Sequence, residues 1–467
     1  MKSLSSFYPS LKKDVMIKDI KINSKNVKKN DIFVCVRGSK VDHHLFLDDA
    51  VKNGASAVIV SKKVSVNVPV VLCKNTNKEL VKFAKWFYDY KEKIKVIGVT
   101  GTDGKTTVSI ILKQLLGNNC AYMGTNGFWY KNQKKSLENT TPETHILYKN
   151  LSFLERKKIP YLSMEVSSEA LYFNRTRGVV FDGAILTNIT SDHLNVHKTL
   201  EHYISCKAKL FKRVRKNGII VLNRDDPSFY SVLPFCFGNV VTYGRNSSAD
   251  YRIIDVKLYD NKTIFTFSYL GNIYKVKSPL IGMFNVSNLL ACIAYLMSCG
   301  IPYSYISKRI KNIYIPGRCE VLPFSLNNTI LLDYAHTENA LYSVLSFLSS
   351  VKKKRLITVV GSAGGRDKSK RKSMGKVSQE YSDFVFYTMD DPRWEDPRKI
   401  IEEMLDKSKN NYKVIIDRKK AIHSALKSLK NGDILIICGK GRDNYMAVLD
   451  KKIPYSDYEV VEKYFKP

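Results

Sequence analysis

One segment constrains the fold more than any other: the apolar run KVIGVT (95–100) leads directly into a glycine-rich turn, GTDGKTT, and then into an apolar helical segment, VSIILKQLL. A strand, a glycine-rich turn and a helix in this order form a phosphate-binding loop. Its backbone N–H groups hold phosphate, its lysine reaches the outer oxygens and a threonine hydroxyl binds Mg²⁺. The residues predicted to bind a nucleotide here are Gly101, Thr102, Asp103, Gly104, Lys105, Thr106 and Thr107.

Composition and charge limit the classes of function. The hydrophobic fraction of 44% and the charged fraction of 25% are ordinary for a globular protein and exclude a disordered or collagenous chain. The formal net charge is +33, but the lysines are spread along all 467 residues with acidic residues between them. We therefore expect a phosphate-bearing small substrate rather than nucleic acid, because no basic arm or block is present.

Cysteine usage and hydropathy indicate the compartment. The nine cysteines lie far apart, without CxxC or the usual Cys/His ligand spacing, so neither a disulfide framework nor a zinc site is predicted. The N-terminal segment lacks the apolar run of a signal peptide, and no later stretch has about 18 uninterrupted apolar residues. The sequence thus predicts a cytoplasmic protein without membrane insertion.

Three blocks of different pattern suggest three domains, since a domain averages about 150 residues. Residues 1–90 contain short β-type runs and helical segments, which predict a small α/β domain. Residues 91–321 begin with the phosphate-binding loop and continue with further apolar strands, as expected for a parallel sheet. Residues 322–467 repeat strand then helix and predict a doubly wound, Rossmann-like α/β domain.

Polar residues cluster where strands of the second block end. Glu165 ends the run YLSME, where its carboxylate is placed to meet a Mg²⁺ ion on nucleotide phosphates. The segment TNITSDHLNVH puts Asp192, His193 and His197 after the next strand, which suggests a metal or phosphate site. Taken singly, each has an ordinary structural alternative, since strand-end glutamates and surface histidines are common.

Three polar clusters end successive strands of the third block: DYAH (333–336), GSAGGRD (361–367) and DDPR (390–393). Each alone is compatible with a helix cap or a turn. Because ligands gather at the carboxyl ends of strands in doubly wound sheets, the three together indicate a binding edge. Arg366 and Arg393 are candidates for holding a carboxylate, since guanidinium groups bind carboxylates in bidentate fashion.

These motifs follow one another in an order that resembles the Mur ligase family, the ATP-dependent amide-forming enzymes of peptidoglycan synthesis. TGTDGKTT is similar to the family's TGTxGKTT loop, and MEVSS, TNITSDHLNVH, GMFNVSN, IPGRCE and LLDYAHTENAL resemble its later motifs. Through TTPE (140–143), DDPR and GKGRDNY the chain most resembles the MurE group. The resemblance implies a small N-terminal α/β domain, a central P-loop ATPase-type parallel-sheet domain and a C-terminal Rossmann-like domain.

The resemblance implies an enzyme that adds the third amino acid to UDP-N-acetylmuramoyl-L-alanyl-D-glutamate. The substrate carboxylate would attack ATP to give an acyl phosphate, with Mg²⁺ and Lys105 neutralising the developing charge. The amine of the incoming residue would then displace phosphate, with the third domain closing onto the second around ATP. The implied partners are the UDP-linked dipeptide and a free amino acid, and the implied oligomeric state is a monomer.

The resemblance also assigns roles to single residues. The catalytic residues would be Lys105, Lys207 and His193, and the Mg²⁺ ligands would be Thr106, Glu165 and His193. Lys207 would carry a carbamate, as N6-carboxylysine, beside the metal. Beyond the loop, the ATP contacts would be Asn288, Arg318, Asp333 and His336. The UDP-substrate contacts would be Ser24, Thr140, Thr141, Ser167 and Arg175. The amino-acid contacts would be Arg366, Asp390, Asp391, Arg393, Gly439 and Asp443.

The identity of the added amino acid stays open at this point. In the family, DNPR together with GKGHE marks members that add meso-diaminopimelate, whereas this chain has Asp391 for the asparagine and ends the last motif with Asp443. An additional carboxylate favours a cationic side chain over a second carboxylate. L-Lysine or L-ornithine is therefore predicted over meso-diaminopimelate.

Other functions are the alternatives. They are a MurF-like ligase, a folylpolyglutamate synthase-like ligase and, outside the class, a basic nucleic-acid-binding protein. DDPR and the N-terminal block argue against the folate enzyme, and nucleic-acid binding leaves the strand-end motifs unexplained.

Overall fold

A computed structural model of the protein describes residues 1–36, 41–190 and 194–466. The chain divides into two compact units. Unit 1 comprises Met1–Thr242 and Ala294–Gly300, and unit 2 comprises Tyr243–Ile293 and Ile301–Pro467. Both are built from helices and largely parallel sheets, so the predicted α/β class is confirmed.

The first part of unit 1 contains an antiparallel strand pair and a small parallel sheet. The elements of this part are β1 (Lys2–Ser3), β2 (Met16–Ile17), β3 (Asp19–Lys21), β4 (Asp31–Val34), α1 (Leu47–Lys52), β5 (Ala55–Val60), β6 (Val70–Leu72) and α2 (Thr76–Tyr88). Strands β1 and β2 form the antiparallel pair. Strands β3 to β6 pair in that order, all parallel. Asn75 starts α2 because its side chain accepts a hydrogen bond from the Lys78 N–H.

The remainder of unit 1 is a larger sheet with helices. Its elements are β7 (Lys95–Thr100), α3 (Lys105–Leu116), β8 (Cys120–Gly124), β9 (Gly127–Tyr130), β10 (Gln133–Lys135), α4 (Thr144–Arg156), β11 (Tyr161–Glu165), α5 (Ser168–Tyr172), β12 (Phe181–Leu186), α6 (Leu194–His197), α7 (Leu200–Ala208), β13 (Val214–Asn223), α8 (Phe229–Val232) and β14 (Asn239–Gly244, whose last two residues belong to unit 2). The strand order is β10-β9-β8-β11-β7-β12-β13-β14. Strands β8, β11, β7, β12 and β13 run parallel.

Strand β7 lies inside this sheet, between β11 and β12. It is buried from its second residue onward, which explains its uninterrupted apolar sequence. At Gly98 a Cβ would lie 2.9 Å from Leu210 Cδ1 and 2.9 Å from Phe181 Cδ1, so a side chain there would displace the packing over the sheet. The carboxyl end of β7 therefore delivers the glycine-rich loop to the middle of the sheet edge.

Unit 2 contains an antiparallel meander and a second parallel sheet. Its elements are β15 (Tyr251–Leu258), β16 (Thr263–Tyr269), β17 (Asn272–Ser278), α9 (Met283–Ser298, whose last turn belongs to unit 1), α10 (Tyr303–Ile310), β18 (Glu320–Val321), β19 (Thr329–Asp333), α11 (Glu338–Val351), β20 (Leu356–Val360), α12 (Lys370–Tyr381), β21 (Phe384–Tyr387), α13 (Pro397–Met404), β22 (Tyr412–Val414), α14 (Arg418–Lys427), β23 (Ile434–Cys438), β24 (Tyr445–Val448), β25 (Lys451–Pro454) and α15 (Asp457–Phe465). Strands β15 to β17 pair antiparallel, as the alternating pattern of residues 252–280 predicts.

The second sheet has the order β18-β19-β23-β20-β21-β22, and its strands from β19 to β22 are parallel. Apolar clusters cover both faces, with Leu331 and Ile436 on one side and Ile330 and Ile437 on the other. The carboxyl ends of β19, β20, β21 and β23 consequently form one edge, which carries the polar clusters singled out in the sequence.

Among the described residues, no helix combines the length and the apolar character needed to cross a membrane.

Candidate active site

The loop after β7 is held in shape by the segment that follows β12. The Asp103 N–H donates to Asn188 Oδ1 at 2.9 Å, and Thr187 Oγ1 donates to the Asp103 carbonyl at 2.5 Å. At Gly101 a Cβ would lie 1.9 Å from Thr187 Oγ1, so the close approach requires glycine. Gly104, with φ of 82°, is the N-cap of α3. The loop therefore lies at the start of a long helix, where backbone N–H groups and the helix dipole favour an anion.

Two lysines converge on the carbonyl oxygen of Gly101. Lys105 Nζ donates to this oxygen at 2.9 Å and to the Thr102 carbonyl at 2.6 Å. Lys207, on α7 and only 1% exposed, donates its Nζ to the same Gly101 oxygen at 2.6 Å. Its Nζ also lies 4.4 Å from the centre of the Tyr203 ring. Two cationic side chains therefore share one carbonyl oxygen at the start of the loop.

Glu165 is fully buried, and neutral donors hold its carboxylate. Thr106 Oγ1 donates to Oε2 at 2.8 Å, and Thr125 Oγ1 donates to the same oxygen at 3.1 Å. Tyr122 Oη donates to Oε1 at 2.5 Å, and the Thr125 N–H donates to it at 2.9 Å. None of these donors is charged. A carboxylate beside a threonine hydroxyl is an oxygen set that Mg²⁺ accepts, so the two residues fit the predicted ion.

Of the other nucleotide and Mg²⁺ contacts predicted for this site, only Thr107 lies within the described part of the chain. Thr107 is buried near the start of α3. His193, predicted as both a magnesium ligand and a catalytic residue, lies outside the described residues, as does Asp192.

Three of the predicted UDP-substrate contacts come together beside Glu165. Thr141 Oγ1 donates to the Glu165 carbonyl at 2.8 Å and accepts from the Ser167 N–H at 3.0 Å. Arg175 donates from a terminal nitrogen to the Thr141 carbonyl at 3.5 Å and pairs through Nε with Glu143 Oε1 at 2.8 Å. Burial raises the pKa of Glu143, while the Arg175 guanidinium acts in the opposite direction.

The two other predicted UDP-substrate contacts, Thr140 and Ser24, have different surroundings. Thr140 Oγ1 lies 3.1 Å from Thr125 Oγ1, so it adjoins the donors of the Glu165 carboxylate. Ser24 is buried in a 3₁₀ turn after β3, where its carbonyl accepts from Asn53 Nδ2 at 3.0 Å. Ser24 therefore belongs to the small sheet of unit 1, and Thr140 to the larger one.

In unit 2, Arg318 lies close to Asp333 and Tyr334, the first two residues of the DYAH cluster. Asp333 Oδ2 accepts from the Cys319 N–H at 2.6 Å, and Oδ1 accepts from the Ala335 N–H at 2.7 Å. Burial raises the pKa of Asp333, against the lowering effect of the Arg318 guanidinium. The guanidinium carbon of Arg318 lies 4.9 Å from the centre of the Tyr334 ring. The two predicted ATP contacts are thus neighbours.

The other predicted ATP contacts of unit 2 are His336 and Asn288. His336 is exposed, and its Nδ1 lies 2.6 Å from the Tyr334 carbonyl oxygen. Asn288 is buried on α9 and donates through Nδ2 to Asn285 Oδ1 at 3.3 Å. His336 therefore joins the Asp333 neighbourhood, while Asn288 is carried by a separate helix.

Lys440 gathers the acidic residues predicted to select the amino acid. Its Nζ lies 2.7 Å from Asp391 Oδ1, 3.6 Å from Asp390 Oδ1 and 3.9 Å from Asp443 Oδ2, and its side chain is 1% exposed. The Ala447 N–H donates to Asp391 Oδ1 as well, at 3.0 Å. The sequence argument considered the added carboxylate of Asp391 by itself. In the structure Lys440 forms an ion pair with it, so part of its charge is compensated within the protein.

Gly439 and Arg393 shape the same edge. At Gly439, with φ of 113°, a Cβ would lie 2.5 Å from Asp390 Oδ2. Arg393 has φ of 52°, and its N–H donates to the Ala447 carbonyl at 3.0 Å. Its Nε is buried and has no hydrogen-bond partner within the described part of the chain. Arg366 is exposed on the loop after β20, outside this tight group of side chains.

Sequence reasoning missed several residues that organise both edges. Lys440 stands within the quoted GKGRDNY motif, so its place in a known motif was an available signal. Tyr334 donates through Oη to Asp443 Oδ1 at 2.9 Å and thereby connects the predicted ATP and amino-acid contacts. No sequence motif indicated Tyr122 and Thr125, since they reach Glu165 only because β8 pairs with β11 in the folded sheet.

Three family models cover most of the chain. The Mur ligase family, catalytic domain matches residues 16–97, the Mur ligase middle domain matches residues 99–296, and the Mur ligase, glutamate ligase domain matches residues 317–441. A relative from Aquifex aeolicus (strain VF5), named UDP-N-acetylmuramoyl-L-alanyl-D-glutamate--2,6-diaminopimelate ligase, is 37% identical over 96% of this chain and 93% of its own. The chain belongs to the Mur ligase family.

Further relatives agree with this membership. A Bacillus cereus (strain ATCC 14579) protein of the same name is 36% identical over 97% of this chain and 94% of its own. A solved structure of a ligase with that name has 28% identity and a TM-score of 0.70, covering 100% of this chain and 99% of its own. The protein is thus an ATP-dependent acid–amino acid ligase of peptidoglycan synthesis, similar to the MurE group, with the three-domain Mur ligase fold.

Proposed function

We propose that this Mur ligase adds a diamino acid to UDP-N-acetylmuramoyl-L-alanyl-D-glutamate, as the third residue of the stem peptide. The observation that carries the proposal is the set formed by Lys105 and Thr106 at the start of α3 and Glu165 at the end of β11, beside Thr141 and Ser167. A phosphate-binding loop next to a buried carboxylate is suited to ATP with Mg²⁺. The UDP-linked substrate is the one named for the relatives.

The reaction requires positioning and charge compensation rather than a protein nucleophile. Lys105 and the N-terminus of α3 would hold the outer phosphate oxygens of ATP. Thr106 and Glu165, with His193, would hold Mg²⁺, which when bound offsets the negative charge of the phosphates. Because Thr125 and Tyr122 fix the Glu165 carboxylate, its orientation is set before the ion arrives. The remaining ATP contacts would be Asn288, Arg318, Asp333 and His336.

The UDP-linked substrate would be held by unit 1. Thr140, Thr141, Ser167 and Arg175 would bind its diphosphate and sugar region, and Ser24 its uridine. The three-domain boundaries at residues 90 and 321, the monomeric state and the cytoplasmic location belong to the same proposal.

Lys207 would act as a carbamate. Its Nζ shares the Gly101 oxygen with Lys105 in a site that is closed to solvent. The Lys207 ammonium would first lose a proton to solvent. The neutral amine would then form an N–C bond to CO₂ and release a second proton, which leaves a carbamate anion in place of a cation beside Lys105. The burial of Lys207 and its closeness to a second lysine support this proposal.

For the amino acid, meso-diaminopimelate is the first candidate. The relatives named above carry this substrate in their names. The buried Arg393 Nε, which has no partner within the described residues, offers a donor for the second carboxylate. Lys440, 2.7 Å from Asp391, offsets part of the repulsion that Asp391 would exert on that carboxylate.

L-Lysine or L-ornithine is the second candidate, because one observation favours it. Asp390, Asp391 and Asp443 carry three negative charges around the single positive charge of Lys440, a formal sum of −2. Such a group still attracts an ammonium at the end of the incoming side chain.

The test is phosphate release from ATP with Mg²⁺ and UDP-N-acetylmuramoyl-L-alanyl-D-glutamate, with each amino acid supplied separately. Turnover with meso-diaminopimelate alone supports the first candidate, and turnover with L-lysine or L-ornithine alone supports the second. Arg393→Lys should reduce turnover with meso-diaminopimelate far more than with L-lysine. Absence of turnover with all three, in protein that binds ATP, would overturn the proposed acceptor.

A further inference from the structure

A second group of metal-ligating side chains lies on α6 and α7, apart from the Thr106 and Glu165 pair. The ligand atoms of His197, His202 and Cys206 all lie within 4.8 Å of one another. His197 and Cys206 are buried, and His202 is partly exposed. His202 and Cys206 are four residues apart on α7 and share one face of the helix. The fold has thus brought two imidazoles and a thiol together.

The separation between His202 and Cys206 matches a tetrahedral centre. His202 Nε2 lies 3.7 Å from Cys206 Sγ. With metal–nitrogen bonds of about 2.0 Å and metal–sulfur bonds of about 2.3 Å, two tetrahedral ligands of these types lie roughly 3.6 Å apart. All three ligand atoms lie within 4.8 Å of one another, so a bound ion would draw His197 closer to the other two ligands.

A hydrogen bond fixes the form of His202 that a metal needs. Its Nδ1 lies 2.9 Å from the His197 carbonyl oxygen, which can only accept, so the proton must be on Nδ1. In the neutral ring this leaves the lone pair on Nε2, the atom that faces Cys206. Orientation of a ligand histidine by a backbone carbonyl is the usual arrangement in metal sites. The Tyr172 ring, 5.4 Å from the His202 ring centre and 5.8 Å from that of His197, forms a wall of the group.

We propose that His197, His202 and Cys206 bind one divalent transition-metal ion of the Zn²⁺ type. Imidazole and thiolate select zinc, cobalt or copper, whereas Mg²⁺ takes oxygen ligands, so the group is distinct in chemistry from the proposed Mg²⁺ site. The three residues leave one coordination position for water. The ion would join α6 to α7, and so stabilise the helix that carries Lys207 next to Cys206.

The experiment uses the full chain, stripped of metal by a chelator and titrated with Co²⁺ in the presence of excess Mg²⁺. We expect one equivalent of Co²⁺ to produce a near-ultraviolet sulfur-to-cobalt charge-transfer absorption, which one equivalent of Zn²⁺ abolishes. Cys206→Ser should remove this absorption, and His202→Gln should weaken Co²⁺ binding at least about tenfold. Cys299→Ser, at an exposed cysteine, is the matched control and should titrate like the wild type.

The Co²⁺ absorption does not depend on ligase activity. The metal site and the proposed function can therefore each fail without the other. Zn²⁺ should also raise the Tm of the wild type and of Cys299→Ser but not that of Cys206→Ser. If Cys206→Ser does not fold, the partly exposed His202→Gln decides. A wild type without the charge-transfer absorption, or a His202→Gln that titrates like the wild type, overturns the site.

Discussion

The two parallel sheets each collect acidic residues at a carboxyl edge, but they hold them in opposite ways. In unit 1, Glu165 is surrounded by hydroxyl and N–H donors that carry no charge. In unit 2, Asp390, Asp391 and Asp443 surround the buried Lys440. Neutral donors do not offset the negative charge of a carboxylate, so it can attract a cationic ligand. A carboxylate paired with a cation of the protein is largely compensated and attracts a ligand less.

This difference predicts that the first edge acts in ligand binding and the second mainly in stability. If Glu165 binds Mg²⁺ as proposed, catalysis at this edge should be sensitive to the removal of its charge. At the Lys440 edge, the acids and the lysine stabilise one another, so removing the lysine should affect folding before it affects selectivity. Stability and activity measurements on matched variants separate these two expectations.

The largest expected effect is on the stability of unit 2. Lys440→Met leaves three neighbouring carboxylates without their cation, and we expect a loss of about 3–5 kcal/mol in the free energy of unfolding. Urea unfolding followed by circular dichroism measures this. Adding Asp391→Asn to the same variant should recover part of the loss, because it removes one of the uncompensated charges.

The matched control for this variant is Lys352→Met. Lys352 pairs with Asp383 at 2.6 Å, and both side chains are partly exposed. A solvent-screened pair contributes about 0–1 kcal/mol. If Lys440→Met is no less stable than Lys352→Met, the acids at the Lys440 edge do not depend on their internal cation, and the contrast between the two sheets fails.

The next effect is on catalysis at the Glu165 edge. Glu165→Gln keeps the shape of the side chain and removes the charge, so we expect kcat/KM for phosphate release to fall about 10²- to 10³-fold. Glu138→Gln, at an exposed glutamate of unit 1, is the control and should retain wild-type turnover. Near-normal activity of Glu165→Gln at low Mg²⁺ concentration would show that the buried carboxylate is structural.

Much of the fold could be predicted because local pattern and topology agree. The run KVIGVT with GTDGKTT specifies a buried parallel strand, a turn and a helix, and the structure has β7, the loop and α3 at those residues. The strand-end rule also placed DYAH and DDPR correctly at one edge of the second sheet, since β19 ends at Asp333 and β21 precedes Asp390.

The partners of these residues could not be predicted, since they come from distant parts of the chain. Nothing near Asp391 in sequence indicates that Lys440 neutralises it. Likewise, the His197, His202 and Cys206 group escaped a search for CxxC-type spacing, because its ligands lie on two short helices joined by a turn. Helical geometry, rather than a compact motif, brings these side chains together.

A smaller effect is expected at Lys207, where the proposed carbamate would replace a positive charge with a negative one. Lys207→Arg keeps a cation but cannot form a carbamate, and we expect turnover to fall about 10- to 100-fold, the usual cost of disturbing residues around a metal. Excess bicarbonate should not restore it. In protein equilibrated with ¹³C-bicarbonate, a carbamate NMR signal should be present in the wild type and in Lys209→Arg, and absent in Lys207→Arg. A signal that persists in Lys207→Arg would assign the carbamate elsewhere.

The smallest effect is a pH dependence that belongs to the acid–cation pairs of unit 2. The hydrogen bond from the buried Arg371 and that from the Gly365 N–H lower the pKa of Glu395 from its ordinary 4.5 to about 2. Because the folded-state pKa is lowered, this pair stabilises the protein above pH 4.5, and the contribution is lost as the pH falls towards 2. Solvent screening limits this contribution to about 1 kcal/mol.

Glu395→Gln should therefore lose less stability than the wild type between pH 5 and pH 3 in urea unfolding. Glu462→Gln, on the surface of α15, is the control and should follow the wild-type curve. Parallel curves for Glu395→Gln and the wild type would mean that Arg371 is neutralised mainly by its other partner, Glu403, which lies 2.6 Å away.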